Sequence, residues 1–360
     1  MKNPVKILDR YIIGKFLGTY IFAIILILAI TIVFDINEKL DAFMKAPLKA
    51  TVFDYFLNFL PYFANQFSPL FTFIAVIFFT TKLADNSEII AMLSAGVSTR
   101  RLVRPYLLSA CVIAAATYIL SAYVIPPANV KRIDFTNTYV KNKRVDYGAN
   151  IMLQVRPGTI AYMNRYEATT KTGYVFSMES FEDKKLVSRL TARSIKYDSL
   201  NMWQIRDYMI RDFKDNREYI TRGFSLDTII PIPPRDFLIS KNDHETLTTP
   251  QLAEYINAQK ERGVANIKSF EIEYHRRFAM TAAAFILTII GMSLSFKKVK
   301  GGIGINIGIG LALSFSYILF TTVTSTFAVS GYTSPLVAMW IPNFIYLIIA
   351  VILYRKAEKM

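Results

Sequence analysis

One cysteine, Cys111, and two histidines, His244 and His275, are all that this chain of 360 residues has of those residue types. A lone cysteine excludes an internal disulfide, so any domain outside the cytosol must be held by its core alone. Cys111 lies in the middle of an apolar run and reads as a packing residue. The histidines are far apart in sequence and lack spaced Cys or carboxylate neighbours, so neither forms a metal signature. No G-x-G-x-x-G and no terminal G-K-[ST] occurs: "KGGIGINIGIG" (residues 300–310) opens an apolar run rather than following a soluble strand. Its Gly304 and Gly308 suit close helix packing. No constellation resembles that of an enzyme, no cofactor is expected, and with no phosphate-binding loop any energy for work must come from elsewhere.

Charge is missing from the middle of the longest apolar runs, which argues against an ion-driven carrier. Asn58, Asn65, Gln66, Asn306 and Asn343 are the polar residues there, and neutral amides more often serve helix packing. Pro61, Pro69 and the hydroxyl series Thr321, Thr322, Thr324 and Thr326 suggest helices bent around a cavity, or ordinary packing.

Apolar residues are abundant, at 53% of the chain with a mean hydropathy of +0.31. That marks a membrane protein with a soluble part. Six runs are long enough for a bilayer of about 30 Å at about 20 residues each. They are Tyr11–Phe34, Tyr55–Thr81, Tyr106–Ile125, Phe278–Phe296, Ile303–Val329 and Leu336–Tyr354. The net charge of +15 sits largely in short clusters beside these runs, which points to membrane anchoring and not to nucleic acid. Lys2, Lys6, Arg10, Lys82, Arg100, Arg101, Arg104, Lys297, Lys298, Lys300, Arg355, Lys356 and Lys359 fall on one side if the runs alternate. That side is then cytoplasmic and holds both termini. Arg276 and Arg277 fall on the other side, the one exception.

The expected organisation is therefore residues 1–125 with three spans, 126–275 as an insertion on the outer face, and 276–360 with three more spans. The insertion shows period-two patterning with turn signals, as in "GTIAYMNRY", "GYVFSMESF" and "WQIRDYMIRDF", and reads as an antiparallel all-β sandwich. Ile160, Tyr162, Val175 and Phe176 are candidate inward positions, although the adjacent Val175 and Phe176 cannot both face in. "TTPQLAEYINAQKERG" reads as a helix with Thr249 as N-cap and Pro250 at its first position.

Between the second and third runs lies "LADNSEIIAMLSAGVSTRRL", residues 83–102. Asp85 and Glu88 have the spacing of a capping box, Ile89, Met92 and Leu93 follow at helical spacing, and Gly96 suits a stop. This predicts a short amphipathic helix over about 85–97. A rigid cytoplasmic helix in a permease without its own motor is what a separate ATPase needs to grip.

The run "LPYFANQFSPLFTFIAVIFFTTKLADNSEIIAMLSAGVSTRRLVRPYLL", with "LTARSIKYDSLNMWQIRDYMIRDF" and "EYHRRFAMTAAAFILTIIGMSLSF", resembles the LptF/LptG (YjgP/YjgQ) permeases of lipopolysaccharide export. The resemblance covers essentially the whole chain. It implies six transmembrane helices, three plus three, around a periplasmic β-jellyroll-like domain, in the inner membrane of a Gram-negative bacterium. It also implies a heterodimer of two related permeases on an ABC ATPase dimer (LptB-like), with a lateral gate between spans one and five of opposite subunits. Lipopolysaccharide would be extracted and passed to periplasmic bridge proteins (LptC/LptA-like). The coupling-helix glutamate falls on Glu88, beside Ile89, Met92 and Leu93. Local sequence places candidate lipid-phosphate contacts at Lys39, Lys45, Lys49, Lys131 and Arg132. The alternatives are a permease for another lipid or lipoprotein, and a non-transporting scaffold that recruits periplasmic partners.

Overall fold

The computed structural model describes residues 7–140, 147–214, 217–232, 234, 243–261, 267–296 and 302–358. Lys2, Lys6, Lys297, Lys298, Lys300 and Lys359, used above for sidedness, lie outside these residues. The described residues divide into two compact units. One lies within Met1–Val140, Glu245–Thr249 and Phe270–Met360, the other within Lys141–His244 and Pro250–Ser269.

The first unit is helical. It holds α1 (Ile7–Glu38), short α2 (Leu40–Lys45) and α3 (Leu48–Ala50), α4 (Leu57–Gln66), α5 (Ser68–Asp85), α6 (Glu88–Ser94), α7 (Thr99–Ile119) and α8 (Ile125–Phe135). After the second unit come α10 (Lys268–Ser295), α11 (Gly302–Val329) and α12 (Pro335–Glu358), while α9 (Thr249–Glu261) begins one residue before the Pro250 expected at its first position. Six of these stretches are long and apolar enough to cross a membrane: α1, α5, the helical run Thr99–Val140, α10, α11 and α12. Three precede the second unit in the chain and three follow it.

Helix α5 is the axis. Its residues are apolar all round, so it buries 78% of its window, against 11% for α1 and 22% for α11. Phe73, Val76 and Ile77 of α5 meet Phe16 of α1, Tyr106 of α7 and Leu287 and Ile290 of α10 in one cluster. Phe79 stacks between Phe16 and Tyr106 with both ring centroids 5.3 Å away. Close approach here depends on two glycines. A Cβ on Gly291 would stand 2.2 Å from Val76 Cγ1, and one on Gly310 2.4 Å from Ile77 Cδ1. Gly304 and Gly308, expected to pack, meet nothing within 4 Å. Gly291→Ala is expected to destabilise the unit by about 1–3 kcal/mol through overpacking on Val76. Val76→Ala in the same chain should restore part of the loss, measured by thermal unfolding in detergent.

The expected second span is broken. Phe67 leaves helical geometry at φ −100° and ψ 9°, and α5 starts at Ser68 with Pro69 in its first turn. The break is tied by hydroxyls: Ser68 Oγ lies 2.8 Å from Tyr20 Oη and 3.1 Å from Thr117 Oγ1. The third span, in contrast, does not end at Ile125. A π-helical turn over Leu120–Val124 precedes Pro126 and Pro127, so the prolines fall in the first turn of α8, where a missing N–H costs nothing. Helix therefore continues to Val140, and the boundary expected at residue 126 falls at Lys141. Cys111 is exposed on α7, not packed. Asn306 and Asn343 do bridge helices: Asn306 Nδ2 donates to Thr81 Oγ1 at 3.2 Å, and Asn343 joins Tyr317 Oη to Ala279 O.

The second unit is built on six antiparallel strands: β1 (Tyr147–Arg156), β2 (Thr159–Glu167), β3 (Thr172–Glu182), β4 (Lys185–Tyr197), β5 (Met202–Lys214) and β6 (Arg217–Ile229). Each pairs with its neighbour in sequence, in the order β1 to β6. The expectation is a jellyroll-like domain; the described strands form one antiparallel sheet in which each lies beside its neighbour in sequence. A second feature defeats simple alternation. One transverse row, Val175, Arg193, Asp207 and Phe224, interrupts the ladder in β3 to β6 while the register on either side is kept. Val175 and Asp207 have left-handed φ of 53° and 51°. The inward face switches parity across this row. Ala161 and Met163 give way to Tyr166 in β2, Leu190 and Ala192 to Ile195 in β4, and Trp203 and Ile205 to Tyr208 in β5. If alternation ran on unbroken through this row, half the apolar positions would leave the core. Phe176 is therefore inward and Val175 is 61% exposed, while Ala161 and Met163, not Ile160 and Tyr162, occupy the core.

Candidate functional site

The short helix between the second and third spans exists, but as seven residues. Its capping box does not form. Helix α5 runs on through Asp85, which is consumed as a helical residue, and the N-cap is Ser87 at φ 61° with no side-chain cap. The stop is as expected. Gly96 (φ 84°) donates its N–H to Leu93 O at 3.0 Å, and Val97 to Met92 O at 3.1 Å, a Schellman ending that needs glycine at the left-handed position.

Glu88 is freed from capping and turns to α1. It accepts from Tyr11 Oη at 2.9 Å and from Asn86 Nδ2 at 3.3 Å. Ile89 is 3% exposed in the main cluster, and Met92 packs against the same cluster. Of the expected face, only Leu93 remains outward. Its outward neighbour is Ile90, which the sequence reading passed over. Inverting the helical wheel of "EIIAMLS" would have found it, since the face i, i+3 is either the inner or the outer one.

Around α6 the bundle is tied by charge. Arg101 Nη1 and Nη2 donate to Asp9 Oδ1 and Oδ2 at 2.7 and 2.6 Å, a bidentate pair with the Asp9 side chain 3% exposed. Arg100 Nε meets Glu358 Oε1 at 2.6 Å. Helix α6 and the start of α7 are thus linked to α1 and α12. Such a helix can transmit a push as a rigid body.

At the opposite end of the bundle the five candidate cations have different fates. Lys45, Lys49 and Lys131 are exposed. Lys39 is bound to Asp35, donates to Tyr55 Oη at 2.7 Å and lies 5.3 Å from the Tyr55 ring centroid. Arg132 lies 4.4 Å from the Tyr62 ring centroid, donates to Asn129 Oδ1 at 3.0 Å and meets Glu245 Oε2 at 3.5 Å.

Glu245 leads to a cluster the sequence reading missed. Arg276 meets Glu273 Oε2 at 2.6 Å, and Arg277 meets Glu273 Oε1 at 2.9 Å. Arg277 also donates to Thr249 Oγ1 at 2.9 Å and Leu247 O at 3.0 Å, so it fastens the segment Glu245–Thr249. These two arginines were the exceptions to the charge pattern. Buried pairing explains why they stand there. The i, i+3 and i, i+4 spacing of Glu273 to Arg276 and Arg277 was the available signal.

A family model described as lipopolysaccharide export system permease LptF/LptG matches residues 10–356. No curated protein matches the chain.

Proposed function

The chain belongs to the lipopolysaccharide export permease family LptF/LptG, and on that premise we propose that it is the permease subunit of an ABC transporter. It extracts lipopolysaccharide from the inner membrane and passes it to a periplasmic bridge. The observation that carries this reading is the extent of the match, which spans the helices and the sheet alike.

In this reading the end of the bundle bearing Arg10, Lys82, Arg100, Arg104, Arg355 and Lys356, all exposed, faces the cytoplasm. A partner ATPase dimer grips α6 by Glu88, Ile90 and Leu93, and Ile89 and Met92 anchor the helix to the bundle. Motion then reaches α1 and α12 through Tyr11, Asp9 and Glu358. The second permease pairs along α1 and α11, the least covered spans. Both carry open glycine faces: nothing lies within 4 Å of a Cβ at Gly14, Gly18, Gly304 or Gly308. Such faces support close helix contact. Lys45, Lys49 and Lys131 meet lipid phosphates directly, and Lys39 and Arg132 join only when Asp35 and Glu245 release them. The apolar face of the sheet then carries acyl chains toward the bridge.

The test is purification of the tagged chain from its native membrane. Wild type should bring down an ABC ATPase, a second six-span permease and lipopolysaccharide. Gly304→Leu with Gly308→Leu should leave the chain folded and lose the second permease. A chain that purifies alone, or with a different lipid, would defeat the reading.

A further inference from the structure

Two cavities adjoin Arg276. The first is water-sized, about 30 Å³, and is lined by Glu245, Glu273, Arg277 and Tyr62 among others. The second is larger, about 120 Å³, and lies among α5, α10, α11 and α12. Arg276, Gln66 and Met280 border both.

The two differ in charge. Both glutamates face the first cavity, whereas Arg276 is the sole charged residue among the described ones lining the second. Glu273 is shared by Arg276 and Arg277, and Glu245 is held by Arg132, so three arginines share two glutamates. Arg276 therefore borders a cavity that no described carboxylate lines. Arg276 keeps 28% of its side chain exposed, while Arg277 keeps 2%. Arg277 is used up by its three partners and Arg276 is not enclosed.

The rest of the second cavity has a definite polarity. Thr321, Thr322 and Ser325 donate their hydroxyl protons to Tyr317 O, Ile318 O and Thr322 O at 2.9, 2.9 and 2.8 Å. Their lone pairs are left as acceptors. Gln66 adds an amide that can donate or accept. The remaining wall is apolar, with Pro69, Met280 and Ile318. A guanidinium donor facing hydroxyl acceptors complements a group that carries an anion beside its own O–H or N–H donors. The volume admits one such group, not an entire lipid.

We propose that this cavity is an anion subsite for one phosphate monoester on a sugar-bearing lipid head group, with Arg276 as the phosphate contact and Thr321, Thr322 and Ser325 as acceptors from the adjoining hydroxyl or amide. This rests on the permease reading above. It adds a site separate from Lys39, Lys45, Lys49, Lys131 and Arg132. A lipid-borne source fits better than free phosphate because the cavity is walled by residues of four candidate spans.

The test uses the complex as purified from the membrane, with Ser325→Cys placed in a Cys111→Ala chain. The rate of maleimide labelling at position 325 is measured with lipopolysaccharide, with the same lipid after enzymatic dephosphorylation, and with millimolar inorganic phosphate. Lipopolysaccharide should protect the cysteine, the dephosphorylated lipid should protect about tenfold less well, and inorganic phosphate should not protect. Arg276→Gln should remove the difference between the two lipids, and Arg276→Lys should keep part of it. Fold is checked by the unchanged thermal midpoint of Thr322→Val, which should still weaken protection. Equal protection by both lipids, or protection unaffected by Arg276→Gln, overturns the subsite while leaving the permease reading intact. Full protection by inorganic phosphate overturns the lipid-borne assignment. A complex that binds neither lipid overturns the permease reading, and the subsite with it.

Discussion

Changing Arg101 to Met is expected to lower the thermal midpoint of the purified chain more than any exposed cation on the same end. The Asp9 carboxylate, 3% exposed, loses both of its guanidinium bonds and stays buried. Breaking one partner of a buried pair costs about 3–5 kcal/mol, and the lower end applies because Arg101 keeps 22% of its side chain exposed. Removing both charges is a different matter. Asp9→Leu with Arg101→Met takes away the buried charge as well, and well-packed apolar replacements of buried pairs are often neutral. The double variant should therefore recover most of the lost stability. Unfolding in detergent, followed by intrinsic fluorescence, decides the point. A single variant as stable as wild type, or a double variant no better than the single, would mean that the pair does not hold α7 to α1. In the permease reading the double variant has a further consequence. It should fold yet transmit poorly, because the α1 link is then apolar and without fixed geometry.

The second large effect concerns the two sides of α6. Ile90→Asp with Leu93→Asp changes only outward residues, 57% and 39% exposed. In the permease reading the chain should keep its thermal midpoint and lose the ATPase from the purified complex. Loss of a hot-spot contact of about 2–4 kcal/mol corresponds to roughly thirtyfold to a thousandfold weaker binding. Ile89→Asp is expected to behave in the opposite order. Ile89 is 3% exposed, so a carboxylate there destabilises the chain itself. Glu88 separates the two roles again. Glu88→Gln retains an acceptor for Tyr11 Oη, whereas Glu88→Lys removes it and reverses the charge offered to a partner. If Glu88→Lys assembles and couples as wild type does, Glu88 serves only to join α6 to α1. If the Ile90 and Leu93 change leaves the ATPase bound, the grip is not on this helix.

The adjoining cluster at the other end shows how much a charge pattern conceals. Counted along the sequence, Arg276 and Arg277 contradict the sidedness given by the remaining cations. In three dimensions they stop behaving as loop cations. Glu273, one turn away, neutralises part of both, and Arg277 is enclosed by Thr249 Oγ1 and Leu247 O. A rule about exposed charge does not apply to a buried network. Lys39 illustrates the reverse. It reads as a cation available at a span end, but Asp35 and Tyr55 already hold it.

The sequence by itself determined the six apolar stretches, a separate strand-rich unit, the short helix after the second span and its glycine stop. Those features are local: hydropathy needs only about 20 neighbouring residues, and a left-handed C′ position needs only the right residue at one place. Tertiary structure alone decided which face of α6 turns inward, because "EIIAMLS" is apolar on both sides and only the packing of Ile89 against the bundle chooses. It decided where the strands change face, since the break in alternation at the row of Val175 and Asp207 shifts the phase without altering composition. It also decided which cations are taken. Asp9 finds Arg101 across 92 positions and Glu245 finds Arg132 across 113. No periodicity reports such a pairing, because its energy depends on burial that exists only once the helices have packed.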